Sequence, residues 1–262
     1  MTESVTAVGR FASQSPDKLR GGYYTSQAIA DWLAKWAVRR TTDHVLEPSC
    51  GDGNVLCSAI TRLKGLGATP THIGRQIKGI EVLPTEAAKA RSRAHSLIGK
   101  FGDSTVLAAD FFEWGNATTT RFDAVVGNPP FIRYQSFPEP SRTLAMKLMS
   151  EAGLTPNKLT NIWVPFVVAS IGLLNPGGRL ALVIPAELLQ VTYAAQLRAF
   201  LTDSFQSVAL ISCNELFFEG AQQEVLLLLA DGRLEISARG NNCSVSVTQA
   251  NTVADLLKLD PT

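Results

Sequence analysis

With 262 residues, a net charge of +1 and ordinary apolar, glycine and proline contents, the chain suits one large domain, or a domain with an appendage, and has ample residues for a core. The near-neutral charge argues against a long basic track for nucleic acid. The longest apolar run, about residues 162–174, is too short for a hydrocarbon core of about 30 Å, and the polar start MTESVTAVGR lacks the apolar stretch of a signal peptide, so a soluble cytoplasmic protein is expected. Four cysteines without a CxxC pair (Cys50, Cys57, Cys213, Cys243) and three histidines without ligand spacing indicate neither a disulfide framework nor a metal site. Buried free thiols are the expectation.

In chain order, GGYYTSQAIADWLAKWAV sets Ile29, Leu33, Trp36 and Ala37 on one face behind Thr25 or Ser26 as cap, which predicts an amphipathic helix. HVLEP, QIKGIEV, STVLAAD and FDAVVGN read as four buried strands. GNVLCSAITRLKG and PTEAAKARSRAHSLIG, after the first and second of them, read as helices, and GLGATPTHIGRQ between them as an inserted surface loop. In the second helix the basic run KARSRAH places Lys89 and Arg93 on one face and Arg91 elsewhere, which favours a solvated face over a phosphate track. The long connection after FDAVVGN holds a short helical pattern at about Ser141 to Glu151. Next come LTNIWVPFVVASIGLL, the turn NPGG, the fifth strand RLALVIP and the helix AELLQVTYAAQLRAFL. FQSVALIS and QEVLLLLADG are too close for a crossover helix and are expected to pair antiparallel. Beyond Asp231 the pattern is ambiguous: CSVSVTQA admits one more strand and VADLLKL a helical turn or two, with too little apolar material for a second core. The expectation is an α/β fold, doubly wound, with a seven-stranded mixed sheet closed by an antiparallel hairpin.

The chemistry gathers at strand ends. In LEPSCGDGNVL, Gly51 and Gly53 let the backbone turn tightly and approach a nucleotide-type ligand, and equally serve a plain strand-to-helix connection. The Lys-Ser/Thr of a phosphate loop is missing. Three successive strands end in Glu47, Glu81 and Asp110. Each alone reads as a cap; together, at the carboxyl edge, Glu81 suits ribose hydroxyls and Asp110 an adenine amino group. Phe111 and Phe166 are core residues or the two sides of a purine sandwich. The fourth strand delivers GNPPF to the same edge, where the prolines fix φ so that the Asn128 side-chain oxygen and the Pro129 carbonyl converge on one spot. Two acceptors there bind an NH2 group and localise its lone pair for in-line attack on an electrophilic methyl, while Phe131 stacks on the ring. No histidine falls near any motif, so no general base is assigned and a shallow pH dependence is expected.

LEPSCGDG followed by GNPPF resembles the gamma-class adenine-specific (N-6) DNA methyltransferases of restriction–modification systems, over about Gly21 to Gly232. The resemblance implies a class I, Rossmann-like methyltransferase fold, S-adenosyl-L-methionine as cofactor and double-stranded DNA as substrate, its target adenine flipped out of the helix. It implies that Thr25, in GGYYTS, contacts the methionine part, that Glu47 lies near its ammonium group, Glu81 on the ribose and Asp110 on the adenine amino group, with Phe111 and Phe166 against the adenine ring. Pro48, Cys50, Gly51, Gly53, Val82, Asn128 and Pro130 complete the implied cofactor site. Asn128, Pro129, Pro130 and Phe131 form the implied catalytic motif, and Phe217 in NELFFEG stacks on the far face of the target base. NIWVPF is similar to the family's Asn-Leu-Tyr-x-x-Phe motif and IPAELL to its Pro-Ala turn.

This sequence departs from the pattern at four points. Ser26 replaces the usual proline, Gly220 falls where some relatives carry a DNA-contacting lysine, and the separation from Gly53 to Glu81 exceeds the usual glycine-to-acid spacing of about 20 residues. The family's target-recognition domain would begin after this chain stops. The expected organisation is therefore a flexible arm (1–20), a catalytic domain (21–235) and an extension (236–262) leading toward a recognition domain or subunit outside the chain, and the isolated chain is expected to bind cofactor but methylate DNA poorly. Protein-glutamine and cytosine-amino methyltransferases share the Asn/Ser-Pro-Pro logic, and a cofactor-binding subunit of a defence complex is the non-enzyme alternative.

Overall fold

The structure, a computed structural model, describes residues 25–157, 160–190, 194–213, 224–235, 237 and 243–259. Eight strands form one sheet in the order β3-β2-β1-β4-β5-β7-β6-β8. They are β1 (Val45–Glu47), β2 (Ile77–Glu81), β3 (Val106–Ala108), β4 (Phe122–Gly127), β5 (Leu174–Pro185), β6 (Phe205–Cys213), β7 (Val225–Arg233) and β8 (Ser244–Ala250). The first five run parallel, and β7 inserts antiparallel between β5 and β6. The expected fold class and hairpin are both present, but the expected seven strands are short by one: CSVSVTQA is β8, which pairs parallel with β6 from Ser207↔Ser244 to Cys213↔Ala250.

Helices α1 (Gln27–Ala37), α2 (Asn54–Leu66), α3 (Pro70–Gln76) and α4 (Pro84–Ile98) belong to one side of the sheet. Because successive strand residues face opposite ways, Val45, Ala124, Val126, Ala181 and Val183 enter the core on that side, while Leu46, Ile80, Val125, Leu180 and Leu182 face the other. The second core takes in residues of α5 (Phe111–Ala117), α6 (Ser141–Glu151), α7 (Trp163–Gly172), α8 (Glu187–Gln190) and α9 (Ala195–Ser204). AELLQVTYAAQLRAFL, read as one helix, is described as α8 and α9, with 191–193 outside the described residues. Helix α10 (Val253–Lys258) buries Leu256 in the first core, and the Trp32 indole N–H of α1 donates to the Leu259 carbonyl at 3.2 Å. Residues 244–259 thus belong to the sheet and its first core. Among the described residues no helix is long and apolar enough to cross a membrane.

Two expectations need correction. GLGATPTHIGRQ is no surface loop: Pro70 opens α3, Thr69 accepts from the His72 N–H at its start, and Ile73 and Gln76 are buried. Turn NPGG lies inside β5, where β4 pairing jumps from Phe122↔Leu174 to Ala124↔Arg179. A buried pair braces the opposite, amino-terminal edge: Arg179 donates to Asp43 Oδ2 at 2.7 Å, and the backbone N–H groups of Arg39 and Arg40 donate to the same oxygen. Burial pushes the Asp43 carboxyl up, but these N–H groups and the guanidinium charges of Arg179 and Arg40 outweigh it and hold the carboxyl below its usual range.

Candidate active site

Chain order reverses between β1 and β4: β1 to β3 build the sheet one way, then the chain crosses back to lay β4 on the other side of β1. Ligands of such sheets bind outside the carboxyl ends at that point. Glu47 and Pro48 leave β1 there, Asn128 leaves β4, and Glu81 ends the neighbouring β2.

The glycine turn is built for close packing. Cys50 N–H donates to the Ile80 carbonyl at 2.9 Å and Gly53 N–H to the Cys50 carbonyl at 2.7 Å. Gly51 and Gly53 have φ of +52° and +88°, and a Cβ on Gly53 would lie 2.8 Å from Ala90 Cβ and 2.9 Å from Ala90 Cα, so only glycine lets α4 close on the turn. Gly51 N–H donates to Glu81 Oε2 at 2.9 Å, and Leu83 N–H to Glu81 Oε1 at 2.8 Å. One carboxylate therefore ties the turn to the end of β2.

Glu47 is 3 % exposed, and its Oε2 is buried with no hydrogen-bond partner among the described residues. Burial pushes its carboxyl well above the usual range; the Leu56 backbone N–H opposes this, the nearby charges of Asp52 and Glu81 add to it, and Arg93 opposes it. Burial likewise raises Glu81, against the N–H groups of Leu83 and Gly51. Such a cluster of carboxyl groups favours a cation and hydroxyl donors and repels phosphate. Thr25 is buried just ahead of α1, and its Oγ1 has no partner among the described residues. Ser26 takes the N-cap position without a side-chain hydrogen bond to the helix. Val82, next to Glu81, is 60 % exposed. Cys50 is buried, and burial together with Glu47 and Glu81 raises its thiol well above the usual range; Cys57 is pushed up to about 11. Neither thiol is a nucleophile at neutral pH.

Asp110 Oδ1 caps α5, accepting from Phe112 N–H at 2.8 Å and Glu113 N–H at 3.0 Å. Phe111 and Phe166 correct the sandwich expectation. Their rings stack on each other with centroids 5.1 Å apart and planes 17° apart, whereas a third ring between them needs roughly 7 Å, twice an aromatic contact distance. Both rings are buried in the second core, with Phe112 edge-on to Phe166 at 4.7 Å, which is the core alternative of the two readings.

The corner from β4 is held from three directions. Gly127 abuts β1 so closely that a Cβ on it would lie 3.2 Å from Glu47 Cγ. Ser49 Oγ donates to the Asn128 carbonyl at 3.3 Å, and Ile162 N–H, just before α7, donates to the Ile132 carbonyl at 2.9 Å. Pro129 is buried, Pro130 half-buried, and half-buried Phe131 packs against both cores. Asn128 Oδ1 is shielded from solvent. Phe217 and Gly220 lie outside the described residues.

Arg93 is the functional neighbour that sequence reasoning missed. Lys89 does meet Glu86 on the surface, but Arg93 turns to the glycine turn and pairs with Asp52 at 2.8 Å. The buried alanine stripe of α4, Ala87, Ala90 and Ala94, marks the face that packs inward, and Arg93 borders it.

The profile of a family described as Eco57I restriction-modification methylase matches residues 72–218, more than half of the chain, and includes Glu81, Asp110, the Asn128–Phe131 corner and Phe166. The type II methyltransferase M.BstVI of Geobacillus stearothermophilus is 27 % identical over 219 residues, 74 % of this chain and 38 % of that protein. This chain spans about two-fifths of the length of such curated relatives. Among solved structures, a nuclease-deletion mutant of the type ISP restriction-modification enzyme LlaGI, in complex with a DNA substrate mimic, superposes with a TM-score of 0.71 at 14 % identity, over 90 % of this chain and 28 % of that one. The M protein of the type I restriction enzyme EcoKI gives 0.61 at 16 % identity, over 88 % and 49 %. These structural likenesses bear on the fold.

Proposed function

We propose, for a chain that belongs to the Eco57I restriction-modification methylase family, that it is the catalytic unit of a DNA adenine methyltransferase, moving a methyl group from S-adenosylmethionine to the exocyclic amine of a flipped adenine. The observation that carries this reading is the juxtaposition at the switch point: the Asn-Pro-Pro-Phe corner sits against Glu47, at the edge of an acidic cluster suited to a cationic nucleoside. The names of the type II methyltransferase relatives agree with it.

The cluster's chemistry fits the cofactor. Glu47 Oε2 and Thr25 Oγ1 are buried polar atoms without partners among the described residues, which a bound ammonium and carboxylate would satisfy. Glu81 is the acceptor for ribose hydroxyls and Asp110 for the adenine amine, with Val82 supplying apolar surface. Pro48, Cys50, Gly51, Gly53 and Pro130 shape the walls. When bound, S-adenosylmethionine supplies an electrophilic methyl on a sulfonium.

The residues of the corner prepare the nucleophile. An aromatic amine attacks poorly because its lone pair is delocalised into the ring. Asn128 Oδ1 and the Pro129 carbonyl accept its two N–H bonds and favour a tetrahedral nitrogen, localising the pair. Phe131 stacks on the base. Once the new N–C bond has formed at the expense of the S–CH3 bond, whose sulfur leaves as a neutral thioether, the surplus amino proton leaves to water, so no side-chain base is required. Flipping the adenine out of the duplex and choosing its sequence belong in this reading to a further domain or subunit, in keeping with a net charge of only +1 over the whole chain. The role is restriction–modification, in the cytoplasm where its DNA lies.

The test is single-turnover transfer of labelled methyl to adenine-containing DNA, with digestion to nucleosides, beside a glutamine peptide. N6-methyladenine is expected, and label only on cytosine or only on the peptide would overturn the assignment. Asn128→Ala is expected to keep cofactor affinity by calorimetry and lose transfer; loss of both, or of neither, would contradict the role given to Asn128.

A further inference from the structure

Arg93 does more than neutralise Asp52. Its two terminal nitrogens fork: Nη1 donates to Asp52 Oδ2 at 2.8 Å and Nη2 to Asn54 Oδ1 at 2.9 Å, gripping both residues that flank Gly53. Guanidinium can only donate, so it fixes which end of the Asn54 amide faces it. The other end, Nδ2, then points at the Thr25 carbonyl and donates at 2.6 Å. The relay runs from α4 through the first residue of α2 to Thr25, two residues ahead of α1, whose Oγ1 is buried without a partner among the described residues. A second polar link joins the same helices one turn on, where Gln27 Nε2 donates to Ser58 Oγ at 3.0 Å and Ser58 Oγ to Asp31 at 2.7 Å.

We propose that Arg93 and Asn54 are positioning residues: by orienting the Asn54 amide, Arg93 holds the Thr25 segment in register with the glycine turn, so that both present to the cofactor as one preformed wall. The inference rests on the cofactor reading above and adds residues which that reading does not use. Neither side chain needs to touch the ligand. Without the relay, Thr25 must be ordered at the moment of binding, and affinity falls by that cost.

Asn54→Asp separates this role from simple stabilisation. The aspartate keeps, and strengthens by charge, its bond to Arg93, but it faces the Thr25 carbonyl with an oxygen and loses the donor. Expected by calorimetry on the full chain is S-adenosylmethionine affinity about tenfold weaker, the effect of about one hydrogen bond together with the O···O clash, while the ligand-free melting temperature stays within about 2 °C of wild type. Hydrogen exchange of residues 25–27 in the ligand-free protein should rise. Arg93→Met should weaken affinity at least as much, Arg93→Lys less, because one ammonium cannot hold the fork, and Lys89→Met, on the exposed side of α4, not at all. Wild-type affinity in Asn54→Asp with unchanged exchange would overturn the proposal, as would an affinity loss matched by an equal fall in melting stability. Failure of the wild-type chain to bind S-adenosylmethionine would sink the cofactor reading and the relay's purpose with it, whereas faster exchange in Asn54→Asp would still mark the relay as what holds Thr25.

Discussion

Replacing Gly53 with alanine puts a methyl group where α4 already stands. The backbone there has φ of +88°, which for a residue with a Cβ costs about 1–2 kcal/mol. The new Cβ would also lie 2.8 Å from Ala90 Cβ and 2.9 Å from Ala90 Cα, against an ordinary carbon–carbon separation of about 3.5–4.0 Å. Ala90 is fully buried on a helix packed into the core, so it cannot step aside freely; overpacking of this kind costs about 1–3 kcal/mol. The sum, about 2–5 kcal/mol, corresponds to a fall in melting temperature on the order of 10 °C for a chain of this size. Urea unfolding of wild type, Gly53→Ala, Ala90→Gly and the double variant closes a cycle. A favourable coupling of about 1–2 kcal/mol is expected, since Ala90→Gly removes the methyl-on-methyl clash but leaves the close approach to the α4 backbone and the φ strain. A Gly53→Ala variant within about 0.5 kcal/mol of wild type, or a cycle with no coupling, would refute the reasoning.

Glu47→Gln tests the buried carboxyl. A carboxyl raised in the folded state favours the protonated form, so the native chain binds more protons than the unfolded chain, and ligand-free stability falls as pH rises from the unfolded value of about 4.3 through the raised folded one. Glutamine cannot titrate, so the variant's stability relative to wild type should climb over that window in thermal melts from pH 4 to 9, while its S-adenosylmethionine affinity drops. Val82→Asp, at a residue 60 % exposed, should leave stability within about 0.5 kcal/mol yet weaken cofactor binding about tenfold, as read by calorimetry. Arg179→Met should cost about 3 kcal/mol in urea unfolding by stranding Asp43 inside the protein, without changing cofactor affinity, since that pair sits at the edge opposite the site.

Local patterns make most of the framework legible. The apolar runs of β1 to β7, the acids that end β1 and β2 and the glycine turn are written in short stretches, and the helix over Ser141–Glu151 follows from its own periodicity. Helix α3 also has a readable start in Thr69-Pro70, but its buried side is only Ile73, Gly74 and Gln76, too little apolar pattern to stand out. Strand β8 is legible only as an alternative, because six of its seven residues face solvent and its register is supplied by β6. At the site, sequence places Glu47, Glu81 and Asn128 at one edge because strand ends are local features. The stacking of Phe111 on Phe166, the fork of Arg93 and the amide of Asn54 depend on separations across 55, 39 and 29 positions, which no window of sequence carries.

Gly127 gives the edge a further property. The residues assigned to the cofactor come largely from the half of the sheet that begins at β1, and those assigned to the amine come from the half that begins at β4. The two halves meet where Gly127 lies against Glu47, so closely that a Cβ on the glycine would lie 3.2 Å from Glu47 Cγ. The span between methyl donor and acceptor in the proposed reaction is therefore gauged by one hydrogen atom on an α-carbon. A larger residue there would act as a shim, moving the corner outward by a few tenths of an ångström and lengthening the reach of the transfer with every reacting group still in place.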